Sequence, residues 1–225
     1  RIPSGLACIL REGRPDLVLV PEFSILALEV CLLRAVFRWK FQIISICDDS
    51  MDMIRGNELS RLHALARKMA MPMIDDVILP DSEACRWYRE HYGKGIFFPI
   101  VRDEQAFRMQ CREALPVSLS LQEEYALRGK KVVLYVGRLA PEKNLECLVR
   151  AAASLPEDTV LVIVGSGSLK EELQHLAGRM QVSAIFPGWL EGVRLAAWYN
   201  LADIFVLPSL VEPFGAVVND ALAAG

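Results

Sequence analysis

Apolar runs of four to seven residues alternate along the chain with segments in which apolar positions recur every three or four residues. The first pattern is typical of buried strands and the second of helices that lie on a sheet. Runs that are apolar throughout, such as Val132–Val136, suit parallel strands covered by helices on both faces. An α/β fold with two doubly wound Rossmann-like domains is therefore predicted. The predicted strands are 17–20, 41–47, 76–79, 132–136, 159–164, 183–186 and 203–207, and the predicted helices are 24–38, 57–72, 82–92, 144–154, 168–178, 193–201 and 215–224.

The periodicity weakens and the charge rises between residues 100 and 130, just ahead of a new strand. We therefore expect a first domain at 1–115, a linker at 116–130 and a second domain at 131–225. The chain begins at Arg1 without a methionine and stops at Gly225, where the last predicted helix ends. These ends predict a fragment of a longer protein in which both domains are incomplete.

The composition argues against several classes of function. Hydrophobic residues make up 53% of the 225 residues and the formal net charge is −3, which is typical of a folded chain and argues against nucleic-acid binding. None of the 6 cysteines forms a C-x-x-C pair, so free thiols are favoured over disulfides. The 3 histidines have no metal-ligand spacing. No signal peptide and no apolar run long enough to span a bilayer is visible.

Ligands of doubly wound folds bind beyond the carboxyl ends of the strands, so the loops at those ends carry the candidate chemistry. Gly137 permits a tight turn after one strand, and Arg138 and Lys143 bracket the following loop. A guanidinium fork and a compact ammonium are a useful combination for a diphosphate. The alternative interpretation is a solvated basic loop with Asn144 as a helix cap.

Two further glycine loops follow neighbouring strands. The segment Val164–Gly167 contains a G-x-G, but Lys170 stands where a dinucleotide fingerprint needs its third glycine, so a nicotinamide-linked oxidoreductase is disfavoured. The glycines indicate either a close approach of the backbone to a ligand or a tight turn. Gly188, within Phe186–Gly188, indicates the floor of a base pocket or an ordinary turn.

The most informative segment is the last one, Glu212–Gly225. A strand and loop present the Glu212 carboxylate, Gly215 opens a helix after Phe214, and Asp220 follows within that helix. The start of a helix offers backbone N–H groups and a positive dipole end to an anion. Two carboxylates can hold sugar hydroxyls around that anion, which predicts a nucleotide-sugar site.

Together, these loops resemble the donor domain of retaining glycosyltransferases of the GT-B type, family four, the glycosyl transferases group 1. The resemblance covers about 131–225, and the segments that carry it are Val136–Arg138 with Lys143–Asn144, Val164–Gly167, Phe186–Gly188, Ala202–Ser209 and Glu212–Gly225. It implies that Arg138 and Lys143 neutralise the donor diphosphate and that Glu212, beside the Phe214–Gly215 backbone, faces the transferred sugar. Asp220 matches the position where the family has a glutamate that binds the ribose.

The first half resembles the acceptor domain of that family more loosely, through Arg14–Val20, Val77–Glu83 and Phe97–Val101. The family often places a histidine after the strand that corresponds to 41–47, whereas this chain has Cys47–Asp52 there. Asp48 or Asp49 is expected to replace the contact of that histidine with the reacting sugar, and Asp48 is our catalytic candidate. The alternatives are a loop that serves only the acceptor, a site for Mg²⁺ or Mn²⁺, and a solvated acidic loop. We expect no metal.

The resemblance implies transfer of a sugar from a nucleoside diphosphate sugar, a UDP-sugar or a GDP-sugar, to an acceptor hydroxyl with retention of configuration, in bacterial polysaccharide or glycoconjugate synthesis. The expected partners are that donor and a glycan or lipid-linked acceptor, with no cofactor and no nucleic acid. The alternatives are a nucleotide-sugar epimerase on the same scaffold and a catalytically inactive binding module.

The expected location is the cytoplasm. The mixed apolar and basic segment Leu32–Lys40 allows a peripheral contact with the inner face of the membrane, although a packed helix with an exposed basic end is favoured.

Overall fold

The computed structural model describes residues 5–51, 54, 61–101, 103–212 and 214–225, with residues 61–64 described by their backbone. The chain divides into two compact units, Arg1–Ile100 and Val101–Gly225. Each unit contains a four-stranded sheet in which every strand pair is parallel. The prediction of an α/β fold with two Rossmann-like domains is confirmed.

The first unit alternates helices and strands, and its sheet has the order β1-β2-β3-β4. Ser24 and Asp81 begin two of the helices, because their side chains accept hydrogen bonds from the backbone N–H groups of Ala27 and Glu83. The elements are α1 (Leu6–Gly13), β1 (Leu17–Pro21), α2 (Ile25–Phe37), β2 (Gln42–Ile46), α3 (Arg61–Ala70), β3 (Asp76–Leu79), α4 (Ser82–Tyr92) and β4 (Ile96–Phe97).

The second unit has the strand order β7-β6-β5-β8. The elements are α5 (Glu104–Glu113), α6 (Leu115–Glu124), β5 (Lys131–Val136), a 3₁₀ helix (Pro141–Lys143), α7 (Leu145–Ala152), β6 (Thr159–Val164), α8 (Lys170–Arg179), β7 (Ala184–Gly188), α9 (Gly192–Leu201), β8 (Ile204–Phe205) and α10 (Ala216–Ala224).

The two central strands of the second sheet are buried on both faces. Alternate residues of β5 and β6 belong to two different cores: Leu134 packs with Trp198 of α9, whereas Tyr135 packs with Leu145 of α7 and Leu173 of α8. Helices therefore cover both faces of this sheet, as the uninterrupted apolar runs predict.

The structure corrects the predicted domain boundaries. Residues 104–124 were assigned partly to the first domain and partly to the 116–130 linker, but they form α5 and α6 of the second unit. The Ser118 hydroxyl donates to the Ala197 carbonyl at 3.2 Å, and the Asn200 amide donates to the Cys111 carbonyl at 2.7 Å. In α6 the buried residue is Ser118 while Leu115 and Leu119 are exposed, so apolar periodicity could not identify the packed face.

Within the described part of the chain, no helix is both long enough and apolar enough to cross a membrane.

Candidate functional site

The loops that follow β5, β6 and β7 are joined to one another at the carboxyl edge of the second sheet. The Leu139 N–H donates to the Ser166 carbonyl at 2.9 Å, and the Leu169 N–H donates to the Leu139 carbonyl at 3.1 Å. The Gly165 N–H donates to the Gly188 carbonyl at 2.8 Å. The structure thus brings together the three loops that the sequence singled out.

The G-x-G pair after β6 is needed for this contact between loops. A Cβ atom on Gly165 would lie 1.8 Å from the Gly137 carbonyl oxygen, and one on Gly167 would lie 2.3 Å from the Leu139 carbonyl oxygen. Atoms this close cannot coexist, so only glycine lets the two backbones approach. The two glycines thus allow the loop after β6 to approach the loop after β5, and a close approach to a ligand stays a prediction.

Lys143 and Glu212 meet at this edge, although they are 69 residues apart in sequence. The Lys143 Nζ lies 2.6 Å from Glu212 Oε2, and Lys143 is only 7% exposed. The Ser209 hydroxyl donates to the same oxygen at 2.9 Å. A buried ammonium is stable only with an anionic partner, and Glu212 supplies it here.

Two contacts hold the backbone around this ion pair. The Leu210 N–H donates to the Glu142 carbonyl at 2.9 Å, and the Asn144 side-chain amide donates to the Pro208 carbonyl at 3.3 Å. Asn144 has a left-handed backbone with φ of 52°, which asparagine tolerates better than most residues. It occupies the N-cap position of α7, but its side chain makes no capping hydrogen bond to that helix.

The alternative interpretation of a solvated basic loop is correct for Arg138 but not for Lys143. The Arg138 side chain is 72% exposed and pairs with Glu142 at 3.0 Å, whereas Lys143 is buried. Below them the Tyr135 hydroxyl donates to the Arg138 carbonyl at 2.8 Å. Burial and then the charge of Glu212 raise the pKa of Tyr135, and Arg138 opposes that shift. Tyr135 is therefore a neutral donor in the site.

Gly215 begins α10 with φ of 69°, in the left-handed region that favours glycine. A Cβ atom there would meet Glu212 Cγ at 3.3 Å, so the start of α10 lies directly beside the ion pair. Phe214, the residue before, is half-buried. The helix start, Glu212, Lys143 and the Gly137–Arg138 turn are therefore assembled at one edge, as the sequence predicts.

Asp220 lies further along α10 and is only 6% exposed. Burial foremost, and then the nearby charge of Asp220, raise the pKa of Cys111 on α5. The carboxylate of Asp220 is thus close to α5, a helix that the sequence did not predict. Its contact with the ribose stays a prediction.

A second group of polar side chains lies at the carboxyl edge of the first sheet. Glu22 follows β1, Asp48 and Asp49 follow β2, and Asp81 follows β3. Asp48 is exposed and interacts with Glu22, whose N–H donates to the Ile46 carbonyl at 2.7 Å. Glu22 was not predicted, because its only signal in the sequence is its position just after a strand.

Asp49 differs from Asp48 because it is buried and paired. The Tyr88 hydroxyl donates to Asp49 Oδ2 at 2.6 Å, and Arg67 Nη1 reaches the same oxygen at 3.3 Å. The Arg67 side chain is itself 12% exposed. Asp49 therefore anchors the loop, which leaves Asp48 as the accessible carboxylate. Neither Arg67 nor Tyr88 was predicted, since the sequence does not show which helix faces this loop.

The metal hypothesis for Cys47–Asp52 includes Asp52, which lies outside the described residues. Among the residues that are described, no three His, Cys, Asp or Glu side chains form a group that could hold a metal ion.

The pH dependence of folding stability tests the surroundings of Glu22 at this edge of the first sheet. Burial, followed by a hydrogen bond to Asp48 and the charges of Asp48 and Asp49, raises the pKa of Glu22 from 4.5 to about 7. Between these pH values the folded chain binds more protons than the unfolded chain, so its stability falls as pH rises. Glu22→Gln mimics the protonated acid and should raise the free energy of unfolding at pH 8 by about 1 kcal/mol, after allowance for solvent screening.

The expected gain in the free energy of unfolding disappears near pH 4, because Glu22 is then largely protonated in both the folded and the unfolded chain. Urea unfolding of wild type and Glu22→Gln at pH 4 and pH 8 measures it, with the exposed Glu90→Gln as the matched control. A gain that is equal at both pH values would contradict the raised pKa of Glu22 in the folded chain.

Known proteins are similar to this chain in sequence and in fold. Residues 120–225 match the family model described as glycosyl transferases group 1. A protein named GDP-mannose-dependent alpha-mannosyltransferase from Corynebacterium glutamicum is 42% identical over 231 aligned positions, which cover 100% of this chain and 52% of that protein. A protein of the same name from Mycolicibacterium smegmatis is 34% identical over 169 positions, 73% of this chain and 39% of that protein.

The fold is shared with solved structures at lower identity. The crystal structure of Anabaena Alr3699/HepE in complex with UDP-glucose superposes with a TM-score of 0.77 at 16% identity, covering 96% of this chain and 60% of that one. The two parallel-sheet units thus match the GT-B architecture. The chain spans about half or less of the length of these two curated relatives.

Proposed function

We propose that the chain transfers a sugar from a nucleoside diphosphate sugar to an acceptor hydroxyl with retention of configuration, because residues 120–225 match the family model of the glycosyl transferases group 1. One observation carries the proposal: a buried ammonium, Lys143, lies beside Glu212 and the start of α10 at the carboxyl edge of the second sheet. Buried cations, helix starts and glycine turns at this edge favour a diphosphate.

In the proposed reaction the bond between the anomeric carbon and the diphosphate oxygen breaks, and a bond to the acceptor oxygen forms on the same face. Lys143, Arg138 and the first N–H groups of α10 stabilise the negative charge that develops on the departing diphosphate. An oxygen of that diphosphate takes the proton of the acceptor hydroxyl. Glu212 holds the sugar and stabilises the positive charge on its ring.

GDP-mannose is the donor that we propose to test first. Two relatives that are 42% and 34% identical carry the name GDP-mannose-dependent alpha-mannosyltransferase. The structural neighbour was solved with UDP-glucose, but its 16% identity supports the fold alone. UDP-sugars are therefore the second choice.

The carboxyl edge of the first sheet is the proposed place for acceptor hydroxyls. Asp48 is exposed there beside Glu22, and carboxylates accept hydrogen bonds from sugar hydroxyls. The acceptor that we propose is a glycan or a lipid-linked glycan. Asp48 keeps its candidate role in contacting the reacting sugar.

We place the proposed reaction in the cytoplasm with a peripheral contact to the inner face of the membrane. Val36 and Phe37 are 73% and 55% exposed at the end of α2, and Arg38 and Lys40 beside them are exposed. This mixture suits an anionic lipid surface. The segment precedes β2 and so lies at the amino edge of the first sheet, opposite Asp48. Cosedimentation with anionic but not with neutral lipid vesicles is the expected result, and equal binding to both would contradict the contact.

An assay with GDP-mannose and UDP-glucose, each with and without candidate lipid-linked acceptors, tests the proposed activity. Release of GDP or UDP together with a glycosylated acceptor supports the transferase. Isomerisation of the free donor without an acceptor would identify an epimerase instead. Donor binding without either product would favour the inactive binding module.

A further inference from the structure

Lys143 has two possible anionic partners. The proposed function assigns it to the donor diphosphate, whereas in the structure its Nζ lies 2.6 Å from Glu212 Oε2. An ammonium that is only 7% exposed cannot turn into solvent to escape this partner at low cost. Binding of a diphosphate to Lys143 must therefore compete with Glu212.

The geometry gives Glu212 a second anchor that does not depend on Lys143. The Ser209 hydroxyl donates to Glu212 Oε2 at 2.9 Å, and the Cγ of Glu212 lies against the start of α10. When Lys143 changes partner, these contacts keep the carboxylate near the helix start. A carboxylate released from its cation is then a stronger acceptor for sugar hydroxyls and a better partner for positive charge.

In the neighbouring ion pair, Arg138 with Glu142, a diphosphate does not have to compete with a buried carboxylate. Arg138 and Glu142 are also joined, at 3.0 Å, but their side chains are 72% and 37% exposed. Pairs in such positions are screened by water and contribute little. Arg138 can therefore turn to a phosphate freely, while Lys143 must exchange one buried partner for another.

We propose that Glu212 holds the Lys143 ammonium until the donor diphosphate displaces it, so that donor binding and release of the Glu212 carboxylate towards the sugar are one event. This inference rests on the proposed function, because it assumes that a nucleoside diphosphate binds at Lys143. It predicts that removing the negative charge of Glu212 strengthens the binding of a nucleoside diphosphate.

A double-mutant cycle separates displacement from simple charge repulsion. UDP and GDP are titrated into wild type, Glu212→Gln, Lys143→Met and the double variant by calorimetry. Glu212→Gln should bind the preferred nucleotide about tenfold more tightly than wild type, since a hydrogen bond to a charged group is worth on the order of a factor of ten. In the Lys143→Met background the same change should have at most about a twofold effect.

Equal gains in both backgrounds would overturn the proposal, since they would show only that Glu212 repels the phosphates. No gain in the wild-type background would also overturn it. Glu146→Gln removes the same charge from an exposed pair with Arg150 and should leave the affinity unchanged. Glu212→Asp is a second variant that keeps the charge but shortens its reach, and it should bind more tightly than wild type.

The proposed function fails in a distinguishable way. If wild type binds neither UDP nor GDP, the donor site itself is refuted. If wild type binds one of them and the cycle shows no coupling between Glu212 and Lys143, only the displacement is refuted.

Discussion

Replacing Glu212 by glutamine should lower the turnover of sugar transfer about a hundredfold or more, even though the nucleotide binds no more weakly. The carboxylate lies beside Lys143 and the start of α10, where the anomeric carbon of the donor is placed in the proposed mechanism. Glutamine keeps the size and one acceptor oxygen but removes the negative charge that opposes the developing positive charge of the ring. The loss therefore falls on kcat rather than on KM.

Initial rates of nucleoside diphosphate release at several donor concentrations separate the two parameters. Glu146→Gln is the matched control, because it removes a carboxylate from the exposed side of α7 and should leave kcat unchanged. An increase in KM with an unchanged kcat would show that Glu212 only binds the donor, and the catalytic role would be abandoned.

Substituting alanine for Gly165 should destabilise the second unit by about 3 kcal/mol. The new Cβ atom would lie 1.8 Å from the Gly137 carbonyl oxygen, and the φ of 144° at this position is unfavourable for alanine. The nearest atoms all belong to the Gly137 backbone, so no side-chain rotation relieves the clash. The loops after β5 and β6 have to separate, and with them the turn that carries Arg138.

Chemical denaturation of wild type, Gly165→Ala and Gly178→Ala measures this effect. Gly178 lies in α8 with open space around the position of a Cβ atom. The control should therefore be neutral or more stable by up to about 1 kcal/mol, because alanine favours helix over glycine. A Gly165→Ala variant as stable as wild type would contradict the loop contact.

The central strands were predictable because burial on both faces leaves a direct record in the sequence. Apart from their first residues, Lys131 and Thr159, the strands β5 and β6 are apolar and buried throughout, and they match the predicted runs closely. The strand β8 is shorter than its apolar run, at Ile204–Phe205, since an apolar run does not reveal how many residues find a hydrogen-bonded partner. The short elements α1 and β4 were not predicted.

The sequence predicted the individual residues of the candidate site but not which of them form ion pairs. Glycines and charged residues at strand ends indicated Gly137, Arg138, Lys143 and Glu212 without any contact being known. That Lys143 is buried and joined to Glu212 depends on how two loops fold against each other, which no local pattern records. In the same way, the buried role of Asp49 depends on the approach of Arg67 and Tyr88 from other elements.

Calorimetric titration of the chain with UDP and GDP, repeated on Arg138→Ala and Lys143→Met, is the direct test of a donor site at Lys143. We expect that wild type binds one nucleotide, that Lys143→Met weakens this binding about a hundredfold and that the exposed Arg138 contributes a smaller part. Wild-type binding that both variants retain in full would place the nucleotide elsewhere. Failure of wild type to bind either nucleotide would refute the donor site.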